Sequence, residues 1–417
     1  MLALPTYLPA TPEESVLISL IRGEPFATVL DRCNQDELAR LAALHRVEYL
    51  LAASVMVEEG INPEWRRWAA FSVLSSQHLL SLCAKAARNT VTLLQAGGIT
   101  PIQLKGPSLA LGKPRAPGDV DLLIPTGTLM RSIALLESAG YEYCGYGRNM
   151  YIKRREYRAW EGLARWSNQF EFTEPETGIL IELHTAFFET ERVYTEKLLI
   201  FRSALDEFFA ASVLDADTGI RYLALEDRAL LLALHSGLKR APVNKEFRLR
   251  HLADLDNLAK AGLDWERLEK RAFHFGAAHH LVFLLRLYEG FAGSCAPPGY
   301  VEQLEGQLKL SVVCLIRLHL QCLTGLEKYH RGLIFVYKWS SPFILPGTLR
   351  GRIRSLLIFP LVLPPPFKLA TIYGLPERSR LVYLLYILEP VQWVYRLLRK
   401  TGRMLVAILQ KKGLFRL

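Results

Sequence analysis

Residues 119–124 read Asp119-Val120-Asp121-Leu122-Leu123-Ile124, a short apolar run interrupted by two aspartates. Alternate side chains of a strand project to the same face, so this pattern predicts a buried strand on which Asp119 and Asp121 point together. Two neighbouring carboxylates on an apolar strand repel each other and lose hydration. A divalent cation offsets both costs, because Mg²⁺ prefers oxygen ligands and is commonly held by one or two carboxylates.

A third carboxylate is expected on a neighbouring strand. Glu182 is the only charged residue in the apolar run 179–183, and its burial requires a compensating partner. We therefore predict that Asp119, Asp121 and Glu182 are the catalytic carboxylates and bind one or two Mg²⁺ or Mn²⁺ ions. The alternative is that Asp119 forms a turn after Pro117-Gly118, while Asp121 and Glu182 pair with Lys or Arg.

A glycine-containing turn, Lys105-Gly106-Pro107-Ser108, is separated from Asp119 by ten intervening residues. The apolar run 99–104 before it predicts a strand, and the residues after it predict the start of a helix. A glycine lets the backbone approach phosphate oxygens, a helix N-terminus offers free N–H groups, and a hydroxyl and a cation complete the site. The turn therefore predicts a phosphate-binding loop.

The periodicity of apolar residues divides the chain into regions. Helical spacing runs from Thr11 to Gly98, mixed strand and helix patterns follow to about Glu189, and helical spacing returns after Ala224. We predict an α+β fold, in which a small mixed β-sheet core is flanked by N-terminal and C-terminal helical regions. The predicted segments are 1–98 (helical), 99–220 (α/β core), 221–298 (helical) and 299–417 (basic, aromatic-rich and helical).

Four further polar residues are candidates for a substrate cleft: His184, His235, Lys239 and Asp254. A structural hydrogen bond at the end of a strand is the alternative role for His184. His235 and Lys239 lie four residues apart on one predicted helical face, which suits a cleft wall or a solvated face. For Asp254, a general base and a salt bridge between helices are the two alternatives.

These motifs together resemble the signature of a bacterial nucleotidyltransferase family within the DNA polymerase β-like superfamily. The resemblance rests on Leu104-Lys105-Gly106, on residues 115–124 and on Glu182-Leu183-His184. His235 and residues 248–254 also match later marks of the family. The similarity extends from residue 36 to about residue 290.

The resemblance implies a polymerase β-like core and assigns roles to individual residues. Metal ligation falls to Asp119, Asp121 and Glu182. Contact with the triphosphate falls to Gly106 and Ser108, and Lys105 and Arg115 are implied as phosphate-facing cations at the nucleotide-binding site.

The expected activity is a metal-dependent nucleotidyltransferase, in which a nucleoside triphosphate such as ATP gives its nucleoside monophosphate to an acceptor hydroxyl or phosphate. The acceptor is not identified by the sequence. One alternative is a catalytically idle nucleotide-binding module recruited to an assembly at a membrane surface. Another is a kinase-like enzyme that transfers the γ-phosphate. The presence of three acids favours the enzyme, because an idle module does not need them.

The composition favours a folded protein in a reducing compartment. Half of the 417 residues are apolar, and the six cysteines are scattered without a Cys-x-x-Cys spacing. The first ten residues lack the pattern of a secretory signal, and no apolar run is long enough to span a membrane. We expect a cytoplasmic protein, free or peripheral to the inner face of the membrane, with free thiols and without structural zinc.

Positive charge is concentrated near the C-terminus. From residue 307 onward there are 18 Lys and Arg residues against three Glu and no Asp, and residues 339–417 mix these cations with aromatic rings. Such a mixture suits an anionic membrane surface. A nucleic-acid partner is less favoured, although the same charges bind phosphate backbones. The third alternative is a helical appendage that packs on the core and exposes a basic face.

Overall fold

The computed structural model describes most of the N-terminal three quarters of the chain. The described residues are 7–105, 115, 118–125, 127–145, 169–186, 205–236 and 248–323, with Leu333, Ile344, Leu381 and Leu384. Three predicted site residues, Gly106, Ser108 and Lys239, lie outside the described residues. So does nearly all of the basic segment 339–417, whose partner stays a prediction.

Thirteen helices occur within the described ranges. They are α1 (Pro12–Arg22), α2 (Ala27–Leu30), α3 (Gln35–Leu44), α4 (Glu48–Val57), α5 (Pro63–Ala96), α6 (Leu129–Ser138), α7 (Leu205–Ala211), α8 (Leu225–Ser236), α9 (Leu249–Lys260), α10 (Trp265–His274), α11 (Ala278–Ala292), α12 (Tyr300–Gly306) and α13 (Leu310–Cys322). Their distribution confirms the predicted helical regions on both sides of the sheet.

One sheet of seven strands is described. Its strands are β1 (Ile102–Gln103), β2 (Val120–Leu123), β3 (Glu142–Gly145), β4 (Gln169–Thr173), β5 (Leu180–His184), β6 (Val213–Leu214) and β7 (Arg221–Tyr222), in the order β3-β4-β5-β2-β1-β7-β6. The β2–β5 and β1–β7 pairs are parallel, and the other pairs are antiparallel. The mixed sheet confirms the predicted α+β fold.

The sheet differs from the sequence prediction at its edges. The strand predicted over residues 99–104 is reduced to β1, because Pro101 has no backbone N–H to donate to a neighbouring strand. Strands β3, β6 and β7 were not expected. Strands β6 and β7 each have only two residues, too few to show the alternation of apolar and polar residues by which a strand is recognised.

Two hydrophobic cores meet at the sheet. The smaller core packs Val120, Leu122, Ile181 and Leu183 of the central strands against α6 and the C-terminal half of α5. The larger core joins α1–α4 and the start of α5 to α8–α13, and Leu333 and Ile344 pack against it. With 34 residues, α5 is about 50 Å long and contributes to both cores. The division at residues 98, 220 and 298 stays a prediction.

Within the described residues, no helix is both long and apolar enough to cross a membrane.

The corner between α3 and α4 contains an unusual backbone conformation. The N–H groups of Arg46 and Val47 donate to the carbonyl oxygens of Ala43 and Ala42, which is the Schellman pattern that ends many helices. Arg46 occupies its left-handed position with φ 57°, and no other described non-glycine residue has a positive φ. Glycine is the usual residue there, because a side chain in this conformation costs about 1–2 kcal/mol.

Replacing Arg46 by glycine is therefore expected to stabilise the fold. We predict that Arg46→Gly raises the free energy of unfolding by up to about 1 kcal/mol, since the relief of strain exceeds the extra entropy of glycine in the unfolded chain. Arg40→Gly, in the interior of α3, is the matched control and is expected to lower it by about 1 kcal/mol. Urea unfolding measures both, and equal destabilisation by the two changes would contradict the prediction.

Candidate active site

The acidic residues face each other across the two central strands. In the parallel β2–β5 pair, Asp121 is in register with Glu182, so both side chains project from the same face of the sheet. The opposite face carries Val120 and Leu122, which belong to the smaller hydrophobic core. The face that carries the carboxylates is therefore fixed by the burial of the alternate residues.

A third side chain completes a compact group. His184 ends β5, and its Nε2 lies 2.9 Å from Asp121 Oδ1 and 3.4 Å from Glu182 Oε2. One ligand atom from each of the three residues lies within 4.8 Å of the other two. All three are buried, with exposed fractions of 1%, 8% and 6% for Asp121, Glu182 and His184. The structure thus brings together two predicted metal ligands and one predicted cleft residue.

Lys105 supplies positive charge to this group. Its Nζ lies 2.8 Å from Asp121 Oδ1. The alternative in which a lysine pairs with Asp121 therefore holds in this structure, whereas the partner of Glu182 is His184. Burial opposes the charge on Lys105, but the nearby Asp121 outweighs burial and raises the pKa of the ammonium group.

The carboxylates respond differently to their surroundings. Burial opposes the ionisation of Asp121, yet Lys105 and the hydrogen bond from His184 hold its pKa well below the ordinary value. Burial raises the pKa of Asp119 and of Glu182, and repulsion from Asp121 adds to both shifts. Burial opposes the charge on His184, but its hydrogen bonds to Asp121 and Glu182 raise its pKa. Asp121 is thus the carboxylate whose negative charge is best stabilised.

The residues present fit a divalent cation. Asp121 Oδ2 is buried and accepts no hydrogen bond from any residue in the described part of the chain. A buried carboxylate oxygen without a donor carries a desolvation cost that a cation would remove. Glu182 and His184 offer a second oxygen and a nitrogen nearby. His184 also orients Asp121, as a supporting hydrogen bond does at many metal sites.

Asp119 lies just before β2 and is not one of the three residues in the compact group. It is half-buried and close enough to Asp121, Lys105 and Arg250 for their charges to shift its pKa. Its role as a metal ligand stays a prediction.

The other predicted residues occupy different positions. Arg115 Nε donates to both carboxylate oxygens of Asp254, at 2.9 and 3.2 Å, in a buried ion pair. Asp254 therefore forms a salt bridge, as in the alternative stated for it, but its partner lies in the chain before β2 and not in a second helix. His235 lies against His251 of α9, with ring centroids 5.6 Å apart.

Three residues near the site received no role in the predictions from the sequence. Glu171 is in register with Glu182 on β4 and extends the row of carboxylates to a third strand, and the alternation in residues 169–173 could have indicated this. Arg46 and Arg250 line a cavity beside Asp119. No sequence signal places Arg46 there, because its position depends on how α3 and α9 pack.

Comparison with known proteins identifies one family. A family described as "Uncharacterised nucleotidyltransferase" matches residues 31–293, which is more than half of the chain. The extent agrees with the resemblance stated above, and the nucleotidyltransferase prediction is confirmed at the level of the family. No curated protein and no solved structure matches the chain.

The buried ion pair is expected to be essential for stability. Asp254→Asn removes the carboxylate that Arg115 contacts in this buried ion pair, so we predict a loss of about 3 kcal/mol in the free energy of unfolding. The double variant Arg115→Met/Asp254→Leu is expected to recover most of it, because two apolar side chains need no compensation. Urea unfolding measures both, with the exposed Asp217→Asn as control. Unchanged stability in Asp254→Asn would show that the pair is not structural.

Proposed function

Since the chain belongs to this uncharacterised nucleotidyltransferase family, we propose that it transfers a nucleoside monophosphate from a nucleoside triphosphate to an acceptor hydroxyl or phosphate. One observation carries the proposal. Asp121 and Glu182 face each other in register on buried parallel strands, and Asp121 Oδ2 is left without a donor among the described residues. Two carboxylates held in this way suit a cation that binds phosphate.

In this proposal Asp119, Asp121 and Glu182 hold Mg²⁺ or Mn²⁺, and His184 keeps the Asp121 carboxylate in position. When bound, such a cation neutralises phosphate charge and stabilises the attacking and leaving oxygens. The coordination by three acids follows the family resemblance. The support from this chain is the proximity of Asp121, Glu182 and His184 and the effect of Asp121 on the pKa of Asp119.

Lys105 has a second role in the proposal. Its ammonium group balances Asp121 in this structure, and the predicted phosphate-binding turn follows it directly in the sequence. We propose that Lys105 donates to phosphate oxygens of the bound nucleotide, next to Gly106 and Ser108. An acceptor hydroxyl loses its proton to water as its oxygen bonds to the α-phosphorus, the bond from the α-phosphorus to the bridging oxygen breaks, and pyrophosphate leaves.

Removing the aspartates is expected to abolish the transfer. In the double variant Asp119→Asn/Asp121→Asn, incorporation of label from α-labelled nucleotide into an acceptor from cell extract should fall at least about 1000-fold, because the loss of charge stabilisation raises the barrier by about 4 kcal/mol or more. The exposed Asp206→Asn is the matched control and should keep full activity.

The position of the label separates this reaction from its alternatives. Label incorporated from α-labelled but not from γ-labelled ATP supports nucleotidyl transfer, and the reverse result would establish a kinase. Nucleotide binding without incorporation from either substrate would instead indicate a binding module. Full activity in the double variant would exclude the proposed role of the aspartates.

Cation binding can be measured without any acceptor. We predict that Asp121→Asn/Glu182→Gln weakens Mn²⁺ binding more than the loss of a supporting hydrogen bond does, which costs roughly 10- to 100-fold in metal affinity. Electron paramagnetic resonance measures the Mn²⁺ affinity. Glu142→Gln, an exposed change in the same sheet, is the control and should leave Mn²⁺ affinity unchanged. Equal affinity in the double variant and the wild type would place the cation elsewhere.

A further inference from the structure

A cavity of about 580 Å³ lies beside the carboxylate site, between α4, the middle of α5 and α9. Its volume falls within the range of small-molecule sites. Gly118, the residue before Asp119, forms part of its lining. The cavity and the carboxylates are therefore adjacent, with Asp119 between them.

Three arginines line the cavity: Arg46, Arg115 and Arg250. The carboxylates in the lining are Asp254, which is paired with Arg115, and Glu48 on an exposed position of α4. Arg46, which is exposed, and Arg250 therefore add two positive charges to the lining. Glu48 lies close enough to Arg46 for their charges to interact, and the lining keeps a net positive charge. A pair of guanidinium groups suits a doubly charged phosphate, because each offers N–H donors in a planar fork.

Arg250 has hydrogen-bonding capacity that its described neighbours do not use. Its Nε is buried and donates to no residue that the structure describes. Burial lowers the pKa of its guanidinium to about 10. Arg115 and Arg46 lower it further and Asp254 and Asp119 partly offset them, so the group is still protonated at pH 7. A buried donor and repulsion between like charges are both unfavourable, and a bound anion would relieve both.

Arg46 lines the same cavity, and its backbone is strained. A Cβ built at Gly118 would lie 3.3 Å from Arg46 Nη1, so the guanidinium lies against the backbone that leads to Asp119. Its left-handed conformation is unfavourable for a residue with a side chain. Strained residues of this kind cluster at ligand-binding sites, where the surrounding structure holds them in place.

We propose that this cavity binds the acceptor, a small organic molecule that carries a phosphate group, through Arg46 and Arg250. The proposal rests on the proposed function and adds the class of acceptor. We assign the nucleotide and the acceptor to opposite sides of Asp119. Lys105, which precedes the predicted nucleotide-binding turn, lies at Asp121, whereas the arginines lie on the Gly118 side. The acceptor would thus meet the nucleotide at Asp119.

The remaining walls suit the organic part of such a molecule. Tyr49, Phe71 and Leu79 form apolar surface, and Ser72, Ser75 and Ser76 offer hydroxyl groups. Phe71 is 75% exposed although it is a large apolar residue, as expected for a side chain at the rim of a binding site.

The test measures phosphate binding to the full chain. Inorganic phosphate is titrated calorimetrically in the presence of a saturating, non-hydrolysable ATP analogue and Mg²⁺, so that the nucleotide site is filled. We expect Arg46→Gly and Arg250→Gln each to weaken phosphate binding at least tenfold. Arg88→Gln, an exposed change on α5, should have no effect. Arg46→Gly is expected to keep or raise the unfolding midpoint, so loss of binding in this variant would not reflect unfolding.

Unchanged phosphate affinity in both variants would overturn the proposal. A second arm titrates Mg²⁺-ATP alone into the same proteins. Unchanged ATP affinity supports an acceptor site, whereas a tenfold loss would assign the cavity to the nucleotide and overturn the acceptor proposal. Asp119→Asn/Asp121→Asn should still bind phosphate. The proposed transfer is tested by label incorporation and the acceptor site by phosphate binding, so failure of one proposal can be distinguished from failure of the other.

Discussion

Asp121 and Glu182 are buried side by side on adjacent parallel strands, and their repulsion must be offset for the sheet to form. Lys105 and His184 provide this compensation by contacting Asp121, and His184 also contacts Glu182. These contacts join the end of β5 and the chain that leaves β1 to the same side chain of β2. A bound cation would offset the repulsion further, because Asp121 Oδ2 accepts no hydrogen bond from the described residues.

The fold presents this charged face by burying the other one. The alternate residues of β2 and β5 pack against α6 and the C-terminal half of α5 in the smaller core. The first half of α5 belongs to the larger helical core, together with α9. One long helix therefore sets the position of the sheet relative to the helices that line the cavity.

Charges of opposite sign meet at Asp119. Asp121, Glu182 and Glu171 lie in register across three strands, while Arg46, Arg115 and Arg250 lie on the Gly118 side. The ion pair between Arg115 and Asp254 neutralises part of the positive side and ties α9 to the chain that leads into β2. This arrangement suits the proposed transfer, which must hold a cation and two anionic substrates close together without strong repulsion.

The sequence by itself determined the fold class, the central strands and which of their residues share a face. Alternation around Asp121 and Glu182 was sufficient, because a strand that buries every second residue fixes where the others point. Only the tertiary structure decided that Lys105 contacts Asp121, that Asp254 pairs with Arg115, and that Arg46 reaches Gly118. These contacts join residues far apart in the chain through the packing of α3, α5 and α9, which local patterns do not encode.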